Sequence, residues 1–492
     1  MASQSDPYAV LGLPRDASPE EIRRAYHEAA RRLHPDTNQA PGETELFLDT
    51  QQAYEVLSNP ERRAQLDATL PPDDKSNVPV VLETYFSRAN LVRMNEVQLI
   101  YVLLEVSPRE SKDKISAPPL NVSLVLDRST SMQGEKMDVV KSTAVQLLRG
   151  LRDEDVLSVI AFSDRAEVLI PASMQRERAQ LESRIHMLQP SGATEIYQGL
   201  EAGLREVRRG SDSGRVNHIV LLTDGHTYGD EQACLKLAEE AADLNVGISG
   251  MGIGADWNDI FLDALASRTG GSSAYIARPQ DIERTLLEKF KNLAAIFASE
   301  VQLHFVPQEG VELRYVFRTQ PEGSPVARDN PLMLGPILQD APLNVLFELI
   351  IQPSALAGDS VTLLNGSLRI STGAQPQPVP PIRLRMERPV GNDAITYPPP
   401  PKILNALGRL SNYRLQEKAH LEADAGLFEK ATHTLQNLAS NLMADGEAGL
   451  AHTALLEAEN LEREHAWTAE GQKEIKYRTR ALMFSGNTKK DL

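Results

Sequence analysis

The sequence predicts a multidomain protein that combines an all-α hairpin, a doubly wound α/β unit, an antiparallel β-sandwich and an α-helical C-terminal tail. Its 492 residues suffice for about three domains at roughly 150 residues each. Apolar residues recur at helical spacing near the start, form near-continuous runs after residue 120 and alternate with charged residues in strands after residue 300. Helical spacing returns after Lys402. These changes of period separate the four parts.

The composition is that of an acidic protein with one cysteine. The formal charge of −17 argues against duplex nucleic acid as a partner, because phosphate contacts rely on clustered Lys and Arg. No apolar run approaches the about 18 residues that a membrane helix needs, and the opening "MASQSDPYAV" lacks the basic and apolar regions of a secretory signal. Cys234 alone excludes an intramolecular disulfide and a zinc site of several thiolates. We therefore expect a cytoplasmic protein that binds neither nucleic acid nor a membrane.

The first seventy residues predict two helices that pair as an antiparallel hairpin. Ser18 can cap the first helix, Pro19 suits its first position and Glu21 completes a capping box. The second helix is predicted from about Glu43 to Leu57. The expected core residues, spaced as on one helix face, are Ile22, Tyr26, Ala29, Ala30 and Leu33, followed by Phe47, Ala53, Tyr54 and Leu57.

The loop between these helices contains His34-Pro35-Asp36, and its surroundings are informative. "DPYAVLGL", "AYHEAARRLHPD" and "FLDTQQAYEVLSNPERRAQLD" resemble the J-domain family of DnaJ-type co-chaperones. The resemblance implies that His34, Pro35 and Asp36 stimulate ATP hydrolysis by a DnaK-type chaperone, together with a basic helix face that includes Arg23 and Arg24. We place the J-domain at residues 1–70 and a proline-rich, charged linker at 71–79.

This region departs from the J-domain pattern at three positions. Leu33 stands where the family often has Tyr, and His27 and Glu28 stand where it often has basic residues. Glu28 weakens the positive face that would steer an acidic partner. A J-like fold without productive coupling is therefore an alternative. Neither the Gly/Phe-rich stretch nor the cysteine-rich module of full-length DnaJ follows, so specificity would come from the attached domains.

The central part predicts a parallel sheet covered by helices on both faces. Near-continuous apolar runs are typical of strands buried on both sides, and helical patterns separate them here. In such sheets, ligands bind outside the carboxyl ends of the strands. The predicted strands include Val156–Phe162, His218–Asp224, Val246–Gly254 and Ser273–Ala277.

The stretch "VSLVLDRSTSMQG" ends a strand with Asp127, Ser129 and Ser131 at alternate positions. These side chains could cap a helix through nearby backbone groups, or they could hold Mg²⁺, which prefers oxygen ligands. Further along, "PSGATEIYQG" supplies Thr194 in a loop and "LLTDGH" supplies Asp224 at a strand end. The motif alone does not decide between the two interpretations.

In order, these five residues resemble the metal-ion-dependent adhesion site of the von Willebrand factor A fold, over about residues 120–298. The resemblance implies that Ser129 and Ser131 ligate Mg²⁺ directly, with Mn²⁺ or Ca²⁺ as alternatives. Thr194, Asp127 and Asp224 would act directly or through water. In the family, an Asp or Glu of a protein partner often completes the coordination, so binding would depend on the metal.

A metal-dependent hydrolase is the enzymatic alternative. It would need an open metal position and a general base, for which His226 is the candidate. No nucleophile elbow, Walker loop or His-Glu-x-x-His occurs, and "GMGIGADW" lacks the P-loop lysine. We therefore expect a protein that is not an enzyme.

The flanking segments predict a β-sandwich formed from both sides of the A-like domain, at residues 80–119 and 299–395, and a helical region at 401–484. Ile382, Leu384 and Met386 alternate with arginines, as in a half-exposed antiparallel strand. The predicted strands are Val97–Val106, Val301–Pro307, Val311–Arg318, Asn344–Gln352, Val361–Ser371 and Ile382–Arg388.

Taken together, these resemblances imply a J-domain co-chaperone that captures a protein partner through its Mg²⁺-dependent A-like domain and couples it to a DnaK-type ATPase. The alternative is a scaffold of a multi-protein complex with metal-dependent binding and little chaperone stimulation. A hydrolase is less favoured. A surface adhesin is opposed by the absent signal sequence and by the J-domain.

Overall fold

The computed structural model describes residues 7–11, 13, 17–32, 43–69, 79–109, 118–174, 178–212, 214–227, 229–372, 379–394 and 398–482. Leu33, the tripeptide His34-Pro35-Asp36 and most of the predicted linker at 71–79 lie outside these residues. Among the described helices, none is long and apolar enough to cross a membrane.

The N-terminal part is helical, as predicted. The capping box is present: the Ser18 amide donates to Glu21 Oε2 at 2.6 Å, and the Glu21 amide donates to Ser18 Oγ at 3.2 Å. Tyr26 and Tyr54 stack at 4.1 Å between ring centroids and join the two long helices. The helices are α1 (Pro7–Leu11), α2 (Pro19–Arg32), α3 (Glu43–Leu57) and α4 (Pro60–Thr69).

Three strands and a six-stranded sheet follow. Strands β1 (Val80–Phe86), β2 (Leu91–Val92) and β3 (Gln98–Pro108) precede the sheet in the chain. The sheet contains β4 (Leu120–Asp127), β5 (Val156–Phe162), β6 (Ala166–Ser173), β7 (Val216–Thr223), β8 (Val246–Ile253) and β9 (Ser273–Ile276). Its helices are α5 (Glu135–Gly150), α6 (Arg178–His186), α7 (Ile196–Gly210), α8 (Glu231–Asp243), α9 (Asp259–Arg268) and α10 (Asp281–Ala294).

This sheet is doubly wound, which confirms the predicted fold class. Its strand order is β6-β5-β4-β7-β8-β9, with only β6 antiparallel to its neighbour. Helices α5, α6 and α10 cover one face, and α7, α8 and α9 cover the other. From β4 the chain continues to β5 on one side and later to β7 on the other. The carboxyl ends of β4 and β7 therefore border the crevice where such sheets bind ligands.

Two five-stranded sheets pack face to face around one apolar core to form the β-sandwich. Strand β3 pairs with β14 although the A-like sheet lies between them in sequence. Leu384 and Met386 are buried and Arg385 is exposed, as the alternation predicts. The remaining strands are β10 (Ile296–Val306), β11 (Val311–Gln320), β12 (Ser324–Pro325), β13 (Leu332–Leu338), β14 (Leu343–Ile351), β15 (Ser360–Ser371) and β16 (Ile382–Gly391).

The C-terminal region forms helices that pack on both neighbouring units. Tyr413 lies in an apolar cluster with sandwich residues, and Tyr477 lies in the core on one face of the A-like sheet. The helices are α11 (Pro401–Asp424), α12 (Phe428–Ala444), α13 (Ala448–Glu464) and α14 (Ala469–Ala481).

Candidate cation site

The polar residues of the predicted site lie at the carboxyl ends of two paired central strands. Strands β4 and β7 run parallel with Leu126 opposite Leu222, so both end at the same edge. Asp127 is the last residue of β4, and Asp224 is the first residue after β7. Both carboxylates are buried, at 0% and 2% exposed. The sheet therefore brings two acidic groups into one crevice.

Asp127 is held by short hydrogen bonds on both of its carboxylate oxygens. Oδ1 accepts from the Ser129 amide at 2.7 Å, and Oδ2 accepts from the Thr223 hydroxyl at 2.6 Å. Burial raises the pKa of Asp127, and the charge of Asp224 adds to this, whereas the hydrogen bonds from Thr223 and Ser129 oppose it. Asp127 thus orients the loop after β4 while facing a second carboxylate.

The two serines connect this loop to Asp224. Ser129 Oγ lies 2.9 Å from Ser131 Oγ, and the Ser131 hydroxyl donates to Asp224 Oδ1 at 2.6 Å. The helix-cap interpretation fails for Ser129, because its side chain makes no capping hydrogen bond to the short helical turn that follows. Helix α5 has no side-chain cap either and starts after Gly134, whose φ of 83° suits glycine. The hydroxyls face one another instead.

Thr194 is brought to the same edge by the loop before α7. It is buried, and a Cβ placed on Gly225 would lie 3.2 Å from its Oγ1. The start of α7 is tied to the segment after Asp224: the Ile196 amide donates to Thr227 Oγ1 at 3.2 Å, and the Tyr197 amide donates to Asp230 Oδ2 at 2.8 Å. The Thr194 loop and the Asp224 loop therefore pack against each other.

Lys136 is a member of this cluster that the sequence analysis missed. Its ammonium donates to Asp224 Oδ2 at 2.6 Å and to the Ser131 carbonyl oxygen at 3.3 Å. The sequence did contain a signal. Lys136 stands in the first turn of α5, where the helix dipole disfavours a cation, so a lysine there calls for an anionic partner.

The donor set is chemically suited to a hard divalent cation. It consists of carboxylate and hydroxyl oxygens, and the lysine ammonium shows that the cluster already attracts positive charge. Within the described residues, no group of three or more His, Cys, Asp or Glu side chains is placed to hold a metal, so an ion here would depend on the hydroxyls.

His226, the base considered for hydrolysis, is exposed two residues after Asp224.

The predicted chaperone-contact residues are only partly described. Arg23 and Arg24 lie exposed on α2, as a basic face requires. His34, Pro35 and Asp36 fall outside the described residues. The structure therefore places the helix that precedes the tripeptide and not the tripeptide itself.

Three family models match the chain. The DnaJ domain matches residues 6–67, the von Willebrand factor type A domain matches residues 121–290, and the Sll0103-like, C-terminal alpha-helical domain matches residues 401–485. A solved structure of a von Willebrand factor type A protein from Catenulispora acidiphila aligns with a TM-score of 0.62 and 16% identity, over 82% of this chain and 98% of that one. The fold is therefore that of a von Willebrand factor A protein with a β-sandwich and further helices.

The relatives in sequence match separate parts of the chain. The protein sll0103 of Synechocystis sp. is 38% identical over 186 residues, which are 38% of this chain and 44% of that protein. The chaperone protein DnaJ of Methanosarcina thermophila is 51% identical over 67 residues, 14% of this chain and 17% of that one. The chain thus spans less than half the length of these relatives. It carries a DnaJ domain and a von Willebrand factor type A domain on one polypeptide.

Proposed function

We propose that this protein is a non-enzymatic co-chaperone adaptor. Its A domain captures a protein partner through a divalent cation, and its J-domain brings that partner to a DnaK-type chaperone. The observation that carries the proposal is the presence of both domains in one chain, with a cluster of oxygen donors at the ligand-binding edge of the A-domain sheet.

The proposed cation is Mg²⁺, held by Ser129 and Ser131 with Thr194, Asp127 and Asp224. Hydroxyls bring no charge, and carboxylates that act through water leave the ion an open position for a further ligand. Mg²⁺ also keeps several waters in protein sites, which a partner's Asp or Glu could replace. Partner binding would then require the ion, because the partner completes its coordination.

The proposed chaperone contact is the J-domain loop with His34, Pro35 and Asp36, supported by Arg23 and Arg24. The exposure of both arginines on α2 supports a basic surface for an acidic partner. Because Glu28 stands on the same helix at a position where the family often has a basic residue, we expect weaker steering than in a J-domain with basic residues there.

The first test is partner capture from a lysate of the source organism, with Mg²⁺ or with EDTA. Asp127→Asn preserves the shape of a buried residue that also orients Ser129, and Thr194→Ala removes one oxygen donor. Disturbing groups that orient metal ligands typically costs about 10- to 100-fold in metal affinity. Asp138→Asn, on the exposed side of α5, is the matched control. Proteins lost with EDTA and with both site variants, and retained by the control, are the expected result. Proteins indifferent to all of these changes would contradict metal-dependent capture.

The second test is ATPase stimulation of the cognate DnaK-type chaperone. His34→Gln should abolish stimulation, whereas His433→Gln, on the exposed face of α12, should leave it unchanged. If the wild type captured its partner through the metal but neither it nor the control stimulated the ATPase, the scaffold alternative would replace the adaptor.

A further inference from the structure

The cation cluster contains its own positive charge. Lys136 Nζ lies 2.6 Å from Asp224 Oδ2, and the Asp224 side chain is fully buried while that of Lys136 is 31% exposed. An ion pair with one buried partner is harder to break than a surface pair, since water does not solvate the buried carboxylate when its partner leaves. Lys136 is thus the direct counter-charge of Asp224.

The local fold gives no other reason for a lysine at this position. The amino end of a helix carries partial positive charge, which makes a cation in the first turn unfavourable. Lys136 is the second residue of α5, and it follows Glu135, the type of residue that suits this position. Its ammonium also reaches the Ser131 carbonyl oxygen at 3.3 Å, within the loop that carries the serine donors.

Both carboxylate oxygens of Asp224 are engaged: Oδ1 accepts from the Ser131 hydroxyl and Oδ2 accepts from Lys136. A divalent ion held by Ser131 and Asp224 would have to share or replace these contacts. Two carboxylates and one ammonium leave the cluster with a net charge of −1. Exchange of the ammonium for a divalent ion would balance these charges, whereas exchange for a monovalent ion would not.

We propose that Lys136 is a built-in cation that occupies the site when no metal is bound and must leave Asp224 when a divalent ion enters. The inference rests on the proposed cation site and concerns how that site is tuned. Lys136 stabilises the metal-free domain and weakens metal binding, so it sets the ion concentration at which the site fills. Its partly exposed side chain lets the ammonium move into water without rearrangement of the core.

The test is calorimetric titration of the full-length protein with MgCl2 and MnCl2, together with its thermal unfolding in EDTA. Lys136→Met removes the charge, Lys136→Gln keeps a hydrogen-bond donor without the charge, and Lys136→Arg keeps the charge. Lys141→Met is the matched control, because it removes an ammonium about 140° further round the same helix.

Both neutral variants should bind the divalent ions roughly 5- to 20-fold more tightly, the value expected for a charged hydrogen bond discounted for partial exposure. In EDTA, the same variants should unfold at a lower temperature than wild type, since Asp224 loses its counter-charge. The arginine variant and the Lys141 control should stay near wild type in both measurements.

Unchanged or weaker metal binding in both neutral variants, while wild type binds normally, would overturn the role of Lys136 and leave the site standing. Unchanged unfolding in EDTA would overturn it as well, and this readout needs no metal. If wild type and all variants failed to bind either ion, the cation site itself would be wrong, and the inference with it.

Discussion

Replacing Asp263 by Asn should release the last helix from the A domain. Asp263 in α9 forms a two-point ion pair with Arg480 in α14, with both N–O distances at 2.8 Å. Lys476 adds a third contact to Asp263 at 2.8 Å. The side chains of Asp263 and Arg480 are 13% and 2% exposed, so the pair lies almost entirely away from water.

The expected cost follows from this burial. Removing one partner of a buried pair typically costs about 3–5 kcal/mol, because the other charge is left without compensation. The hydrogen bonds that Arg480 would keep go to the neutral oxygens of Ser273 and Tyr413, at 3.0 and 3.1 Å. At about 1.4 kcal/mol for each factor of ten, local opening of α14 should become roughly two to three and a half orders of magnitude more frequent.

Hydrogen exchange of the α14 amides, followed by mass spectrometry, measures this opening directly. The matched control is Glu459→Gln, which breaks the Arg463–Glu459 pair on α13. Those side chains are 76% and 59% exposed, so the control should change stability by no more than about 0.5 kcal/mol. The double change Asp263→Leu with Arg480→Met should cost less than Asp263→Asn alone, because no buried charge is left unpaired.

The pH dependence gives an independent check. Burial alone would raise the pKa of Asp263, but the charges of Arg480 and Lys476 and their hydrogen bonds outweigh it and hold this pKa well below its usual range. The stabilisation is therefore complete above the unfolded pKa of about 3.9 and is lost as the pH falls below it. Equal exchange of α14 in wild type and Asp263→Asn at neutral pH would refute this reasoning.

Three further predictions concern the cores of the A domain and the sandwich. Gly252→Ala should destabilise the A domain by about 3 kcal/mol in denaturant unfolding, because its new Cβ would lie 1.9 Å from the buried Trp257 ring. Burial raises the pKa of Glu300 to about 8, so its contribution to stability is complete below the unfolded value near 4.3 and is lost as the pH rises through about 8. Glu300→Gln should flatten this part of the stability–pH curve. Cys234 is fully buried, and burial and then Asp230 raise the pKa of its thiol. It should therefore react with a thiol reagent only as fast as the A domain unfolds, and rapid labelling of the folded protein would contradict this.

The sequence predicted the local structure well where periodicity and capping decide it. The strand Val156–Phe162 and the helix Glu43–Leu57 have the predicted limits, and the Ser18–Glu21 capping box is present. Strands β1, β2, β6, β12 and β13 were not predicted individually, although β1, β2, β12 and β13 fall within the predicted sandwich ranges 80–119 and 299–395. Edge strands such as β1 and β6 are only partly buried and lack the continuous apolar run or strict alternation that marks a strand.

The sequence predicted which oxygen-bearing residues form the candidate site, but only some of the contacts among the residues there. The sequence shows the order of Asp127, Ser129, Ser131, Thr194 and Asp224 directly. Their placement at one edge of the sheet could be predicted because ligand sites in such sheets lie at the carboxyl ends of the strands. That these groups hold a cation stays a prediction. The position of Lys136 at the start of α5 was a signal that it has an anionic partner, but that partner could not be identified, because Asp224 lies 88 residues further along the chain.

By itself, the sequence determined the separate parts of this protein: the long helices and the buried strands, the doubly wound central sheet, and the oxygen donors that follow its strands. These properties follow from the periodicity of apolar residues and from short motifs, which act over a few neighbouring residues. The tertiary structure alone decided that β3 pairs with β14 across the inserted domain, that α14 docks on the A domain through Arg480 and Asp263, and that Lys136 neutralises Asp224. Each of these contacts joins distant segments whose local sequence would suit many partners, so only the packing of the whole chain selects one.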